Sequence, residues 1–282
     1  MFSILIPTYN NLNYLKLCIN SIKKNSLFDH EIIVFVNDGS DGTLSFVKKN
    51  SITYIHSKIN VGLCVAVNKI AKLASNKYIV YAHDDMYFCP HWDEPFVQEI
   101  TNLGHDNFYL SGSMIQPFSS FINLDCGKNI EEFNEEKLLR EYKKIYFPDF
   151  QGSTWAPTLI SLNTWNKVSG FDEKYKFGLG SDPDFNMKLW QAGIRIYKGL
   201  GNSRVYHFGS ISLRKKVWND GHKTFLLKWG ITIKFFKKFY LRSNKIYDGP
   251  LKEPKKDFFF LISLFICKIK LIYTKVIKFN NQ

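Results

Sequence analysis

YIVYAHDDM, residues 78–86, is an apolar run that reads as a buried strand and stops abruptly on His83, Asp84 and Asp85. Two adjacent carboxylates at a strand end are costly unless water, a cation or hydrogen-bond donors receive them. Carboxylate oxygens suit hard cations such as Mg²⁺ or Mn²⁺, and such cations commonly hold a diphosphate. A solvated turn accounts for the three residues equally well, so the neighbouring segments must decide between the two.

Outward from this stretch, β-rich runs alternate with helical patterns. Strands are expected over 3–6, 31–36, 53–56 and 77–82, and helices over 12–24, 43–49, 63–74 and 93–103. Strict alternation predicts an α/β fold, a Rossmann-type, mostly parallel sheet flanked by helices and joined by right-handed crossovers. In such sheets ligands bind beyond the carboxyl ends of the strands, near a topological switch point. PTYN at 7–10, NDGSDGT at 37–43 and HDD at 83–85 all fall at such ends. The topology alone predicts that they converge.

The middle of the chain is less regular. Residues 108–113 read as a strand, 131–144 as a charged helical face, and 153–162 as a strand or extended segment. A helix is expected over 182–192, closed by Gly193, followed by two short β pieces at 195–197 and 204–208. Trp155 and Trp190 are expected in the core, with sugar stacking as the alternative. His56, His91, His105 and His222 have no spacing that recommends them as ligands.

Bulk properties set the wider frame. With 282 residues, 45% of them hydrophobic, the chain can bury a sizeable core. Five cysteines are scattered with no CxxC pair, which argues against a disulfide framework or zinc knuckle and for a reducing, cytoplasmic setting. The opening MFSILIPTYN lacks a basic flank and a long apolar region, so a secretory signal is not expected.

Residues 1–211 carry 21 Lys and Arg against 21 Asp and Glu, whereas residues 212–282 carry 17 against 4, so the net charge of +13 lies in the last quarter. This asymmetry points to an anionic partner, a membrane surface or nucleic acid, and nucleic acid ranks last because it leaves the acidic clusters unexplained. The expected division is a domain over 1–212 and a basic, aromatic, helical extension over 213–282, with a linker, DGPLKEPKKD, at 248–257. In the 258–279 segment Ser263, Lys268, Lys270, Thr274, Lys275 and Lys278 share one half of the helical circumference, opposite a Phe/Ile/Leu face. Such a helix either lies in a membrane interface or packs on its own domain; four lysines make it a poor spanning helix.

Two glycine-bearing loops add chemistry. In NDGSDGT, Gly39 and Gly42 permit a tight path, and the Asp38 carboxylate can accept a hydrogen bond from a heterocycle such as uracil. NVGLCVAVN at 60–68 places a glycine between a strand and a helix whose unpaired amides can meet a phosphate.

Taken in order, PTYN, NDGSDGT, NVGLCVAVN, HDD, GFDE at 170–173, SDPDF at 181–185 and HFGSIS at 207–212 resemble the family 2 glycosyltransferases of the GT-A fold, over residues 1 to about 212. The resemblance implies an inverting, metal-dependent transferase. It would move a sugar from a nucleotide diphosphate sugar, a UDP-sugar first among them, to a hydroxyl of a glycan or lipid-linked glycan in cell-surface polysaccharide synthesis. By the same resemblance Pro7, Thr8, Tyr9, Asn10 and Asp38 line the nucleotide pocket, and Asn60 and Gly62 border the donor. The family's triplet is acid, any residue, acid. Here Asp85 takes the metal, Mn²⁺ or Mg²⁺, Asp84 faces the donor ribose or sugar, and His83 departs from the pattern in the donor site. His207 resembles a late histidine that completes the metal shell. Asp182 matches the general base, with Asp184 assigned to structure. The cationic tail is expected to hold the protein on the inner face of an anionic membrane. The competing expectation is a non-catalytic nucleotide- or glycan-binding module on the same fold, favoured by His83.

Overall fold

The computed structural model describes residues 1–117, 122–152, 155–175, 178–209 and 220–280, the side chains of 277–280 excepted. The expected division at 212 and the last three residues of HFGSIS lie outside them.

Strand β1 (Phe2–Tyr9) is buried through Thr8, as a strand covered on both faces must be, and its run of Phe2, Ile4, Leu5 and Ile6 supplies the apolar surface. Helix α1 (Leu12–Asn25) crosses to β2 (Glu31–Asn37), α2 (Thr43–Lys49) to β3 (Thr53–Ser57), and α3 (Leu63–Ala71) to β4 (Tyr78–Tyr81). These four strands pair in parallel in the order β3-β2-β1-β4. The chain winds outward from β1 to β3 and then returns to the other side of β1, so the switch point lies between the ends of β1 and β4. PTYN and HDD stand at those two ends.

Beyond β4 the sheet is mixed. β5 (Met86–Phe88), α4 (Glu94–Leu103), β6 (Phe108–Gln116), β7 (Ile122–Asn123), α5 (Glu135–Glu141) with a 3-10 turn at Tyr142–Lys144, β8 (Phe150–Gln151), β9 (Thr158–Ser161), α6 (Leu162–Lys167) and α7 (Ser181–Gln191) lead to β10 (Ile196–His207). β9 runs antiparallel between β4 and β6, while β10 is parallel to β6 and antiparallel to β5. The two short β pieces expected at 195–197 and 204–208 are one strand, with a register shift between Gly199 and Arg204. That irregularity hides the strand's continuity in the sequence. β5 was not expected: three residues are too few to show a period.

The basic tail opens with two helices, α8 (Gly221–Trp229) and α9 (Ile233–Phe239), because Gly230 takes a left-handed conformation and ends α8, and Thr232 caps α9 by accepting from the Phe235 amide. Helix α10 (Phe258–Asn280) follows. Phe225, Phe235, Phe236, Leu241 and Leu251 join the same hydrophobic cluster as β1 and α7. Burial of one such side chain contributes roughly 1.5–3 kcal/mol. Leu251 sits within the expected linker, yet it is buried and its amide donates to the Arg195 carbonyl.

Candidate active site

The parallel register of β1 and β2 sets Tyr9 beside Asn37 and so brings the two loops together. Asn10 joins them: its Nδ2 donates to Asp38 Oδ2 at 2.9 Å and its Oδ1 accepts from the Gly39 amide at 2.9 Å. The Asn10 bond, with help from Ser40, holds the Asp38 carboxyl below its ordinary range. Gly39 has φ +81, and a Cβ there would meet Val36 Cγ1 at 2.7 Å, so only glycine fits the turn. His56, which the sequence did not recommend, bonds the Asp38 carbonyl through Nε2 at 2.8 Å. Asn37 holds two segments: Nδ2 donates to the Thr8 carbonyl, and Oδ1 accepts from the Val61 amide at 2.9 Å. The Asn60 side chain accepts from the Gly62 amide at 2.9 Å, which shapes the entry to α3. Pro7 is buried within β1, and Tyr9 is exposed at its end.

Across the switch point Thr8 Oγ1 donates to Asp84 Oδ2 at 2.6 Å, linking the ends of β1 and β4. Burial, reinforced by the charge of Asp85, pushes the Asp84 carboxyl up, and the Thr8 bond opposes it. Two crowded carboxylates of this kind are relieved by a cation.

The antiparallel pairing of β5 with β10 sets His207 opposite Met86, and the Phe208 amide donates to the Asp85 carbonyl at 3.2 Å. The backbone thus delivers His207 to Asp85 from more than a hundred residues away in sequence. His83, Asp85 and His207 each offer one ligand atom, and these atoms all lie within 4.8 Å of one another. His207 Nε2 lies 3.2 Å from Asp85 Oδ1, yet it is buried without a hydrogen bond of acceptable geometry among the described residues. Its other ring nitrogen, Nδ1, pairs with Gln116 Nε2 at 2.7 Å. His83 Nε2 pairs with Tyr81 Oη at 3.0 Å. Burial, helped by His207, lowers His83 to about 4, so the ring is neutral near pH 7 and has a lone pair to offer. A buried nitrogen with no good partner, a neutral imidazole and a carboxylate fit a divalent cation, with Tyr81 and Gln116 orienting the two rings.

Helix α7 carries the remaining carboxylates. Gly180, at φ +90, precedes it and lets the backbone of α8 approach: a Cβ there would meet the Gly221 carbonyl oxygen at 3.0 Å. Asp182 and Asp184 both lie in the first turn, where the helix dipole favours negative charge. Their surroundings differ. Asp184 is fully buried and accepts from Tyr175 Oη at 3.1 Å, Trp229 Nε1 at 2.7 Å and Lys228 Nζ at 3.0 Å, so it fastens α7 to α8. Asp184→Ala would strand these donors, and it is expected to destabilise the fold by about 3–5 kcal/mol, seen as a lowered urea midpoint; an unchanged midpoint would deny it the structural role.

Asp182 makes no such bonds, and its Oδ1 is buried with no hydrogen-bond partner among the described residues. Burial raises it to about 7, although the charge of Lys237 on α9 pulls the other way. Burial also pushes the Tyr81 phenol well above its usual range, and both Asp182 and Asp85 add to this. Tyr81 therefore feels both the carboxylate on α7 and the one in the cation cluster.

Sequence reasoning missed Gln116, Tyr81 and Lys237. A parallel β6–β10 pair, with Ile115 beside Tyr206, accounts for Gln116, but nothing local marks it. Trp155, expected in the core, is 43% exposed, with Lys237 Nζ 4.4 Å above its ring. Trp190 is buried as expected.

The family model described as "Glycosyl transferase family 2" matches residues 3–155. The chain is 29% identical over 222 residues to a hyaluronan synthase of Pasteurella multocida, covering 76% of this chain and 21% of that protein. It therefore spans about a fifth of that relative's length. Among solved structures, S. aureus TarS 1-349 in complex with UDP-GlcNAc aligns with a TM-score of 0.58 at 16% identity, over 83% of this chain and 66% of the other. GalNAc-T7 with UDP, GalNAc and Mn²⁺ aligns with a TM-score of 0.56 at 14% identity, over 73% and 43%. At these identities the likeness is one of fold.

Proposed function

Because the chain belongs to glycosyl transferase family 2, we propose that it transfers a sugar from a UDP-sugar to a hydroxyl of a glycan or lipid-linked glycan, with inversion at the anomeric carbon. The observation that carries this reading is the pairing of a cation-ready cluster at the switch point with a separate, unpaired carboxylate at Asp182. The nucleotide-bound TarS and GalNAc-T7 structures lend support to a nucleotide sugar as donor.

Asp38 and the loops fixed by Asn10 and Asn37 receive the nucleotide, and Asp84, steadied by Thr8, faces the ribose or sugar. Asp182 accepts the proton of the acceptor hydroxyl as that oxygen attacks; a carboxylate raised to about 7 is well matched to a proton leaving near neutral pH. Attack comes opposite the departing diphosphate, which gives inversion. His83, Asp85 and His207 would hold the cation, which when bound neutralises charge on the leaving diphosphate. Two imidazoles beside one carboxylate move the preference from Mg²⁺ toward Mn²⁺. Incubation with a panel of sugar nucleotides and Mn²⁺, scored by nucleoside diphosphate release with and without chelator, tests donor and cation together. Release from a UDP-sugar that chelator abolishes is expected, and silence across the panel overturns the reading.

Helix α10 adds a place of work. Phe258, Phe259, Phe265, Ile269, Ile272 and Tyr273 are 52–71% exposed, while Phe260, Cys267 and Leu271 turn toward the protein. No helix among the described residues is long and apolar enough to cross a membrane. Exposed Lys268, Lys270 and Lys275 accompany this apolar face, a combination that favours the interface of an anionic membrane, where lipid-linked acceptors are found. The protein is expected to float with phosphatidylglycerol-rich vesicles, and Phe265→Glu/Ile272→Glu to stay in the dense fraction; equal flotation of both would dismiss α10 as the anchor.

A further inference from the structure

Helix α9, which packs against α7, and the segment after it gather positive charge. Lys234, Lys237 and Lys238 stand three and four residues apart and so share a face. After α9 the chain turns back through Arg242 and Asn244, both with positive φ, and brings Lys245 round to the same place. These residues and Trp155 line a cavity of about 800 Å³ whose walls, among the described residues, carry five Lys and Arg side chains and no carboxylate.

Arg242 is occupied, since its guanidinium pairs with Asp248 at 2.7 Å. Among the described residues no carboxylate lies within ion-pair distance of Lys234, Lys237, Lys238 or Lys245. Like charges brought together around a cavity repel one another, and folding alone gives no return for it; an anion entering the cavity does. Phe150, Phe239 and the exposed indole of Trp155 supply an apolar, aromatic wall among these charges. A flat ring beside ammonium groups suits a sugar bearing acidic substituents. Lys237 joins the cavity to the chemistry, because it lines the wall, covers Trp155 and acts electrostatically on Asp182.

We propose that this cavity is the acceptor site and that the acceptor is an anionic glycan, its carboxylate or phosphate groups seated on Lys234, Lys237, Lys238 and Lys245. A sugar ring lies against Trp155, and the acceptor extends from the cavity past Lys237 toward Asp182 on helix α7, which packs against α9. The role of Asp182 in this arrangement rests on the transferase reading; the anion selectivity of the cavity does not. A neutral glycan would leave the charge of these lysines unmatched.

Calorimetry on the full chain without donor tests the site directly, using a uronate-bearing tetrasaccharide, a phosphodiester-linked polyol of similar length, and the neutral tetramer of N-acetylglucosamine. At least one charged probe is expected to bind about tenfold or more tightly than the neutral one in dilute buffer, and to lose that advantage as salt approaches about 0.5 M. Which charged probe wins tells carboxylate from phosphate. Lys234→Gln/Lys245→Gln should remove most of the advantage, and the corresponding double arginine variant should retain it, with melting curves confirming that both are folded. Equal binding of neutral and charged probes overturns the proposal. So does an oligonucleotide of matched charge that binds as tightly as either glycan, since the cavity would then be a general polyanion patch. Failure of the transferase reading would register separately, as an absence of UDP binding to the same sample.

Discussion

Asp182→Asn is expected to lower sugar transfer by about 10²–10⁴-fold, the range set by loss of a positioned base, while the protein remains folded. Wild-type activity should carry an acid limb: with the carboxyl raised to about 7, the rate falls roughly tenfold per pH unit below that value, and the limb disappears in the variant. The stability effect has the opposite sign. The folded carboxyl holds its proton to about pH 7, whereas an ordinary one releases it near 3.8, so between these values the folded state binds more protons and stability declines as pH rises. Asparagine, which never ionises, should therefore melt at or above the wild-type temperature at pH 8. A variant with full activity would remove Asp182 from the role of base, and one unfolded at pH 8 would contradict its buried, unpaired environment.

Asp85→Asn is the second large effect. The side chain keeps its shape but loses the one carboxylate in a cluster whose other two members are imidazoles. Transfer is expected to fall by at least about a hundredfold, in line with loss of the charge that holds a catalytic cation. Mn²⁺ affinity, followed by the free-ion electron paramagnetic resonance signal, should drop about tenfold or more. Nucleotide binding provides the second readout: Mn²⁺ should strengthen UDP binding to the wild type and leave the variant unchanged. Wild-type Mn²⁺ affinity in the variant would place the ion elsewhere. His207→Ala should show the same pattern, since its Nε2 faces Asp85 Oδ1.

His83 shows how a departure from a sequence pattern reads differently in three dimensions. Against the family's triplet it replaces an acid and favours a non-catalytic module. In the fold its ring faces that of His207 at 5.5 Å between centroids and belongs to the same candidate cation site as Asp85. A histidine can stand where a carboxylate is usual because a neutral imidazole is also a metal ligand, and burial keeps this one neutral.

The parallel half of the sheet was legible because its strands are apolar runs of four to eight residues separated by amphipathic helices and closed by polar turns. Local pattern specifies that much, and the order of the strands then fixes where their ends meet. The mixed half was not legible. β10 is broken by a register shift, β5 has three residues, and the basic tail joins the core through Phe225, Phe235 and Phe236. Each of these depends on what the segment packs against, which no local period records.

The sequence by itself determined the α/β alternation, the strand-end loops that carry Thr8, Asn10, Asp38, Asp84 and Asp85, and a helix opening on Asp182, because these follow from short-range periodicity and turn chemistry. Tertiary structure alone decided the rest. The β5–β10 pairing delivered His207 to Asp85, the buried bonds to Tyr175, Lys228 and Trp229 separated Asp184 from Asp182, and the packing of α9 set Lys237 beside the carboxylate. Residues far apart in sequence acquire a shared electrostatic environment only when the chain buries them together.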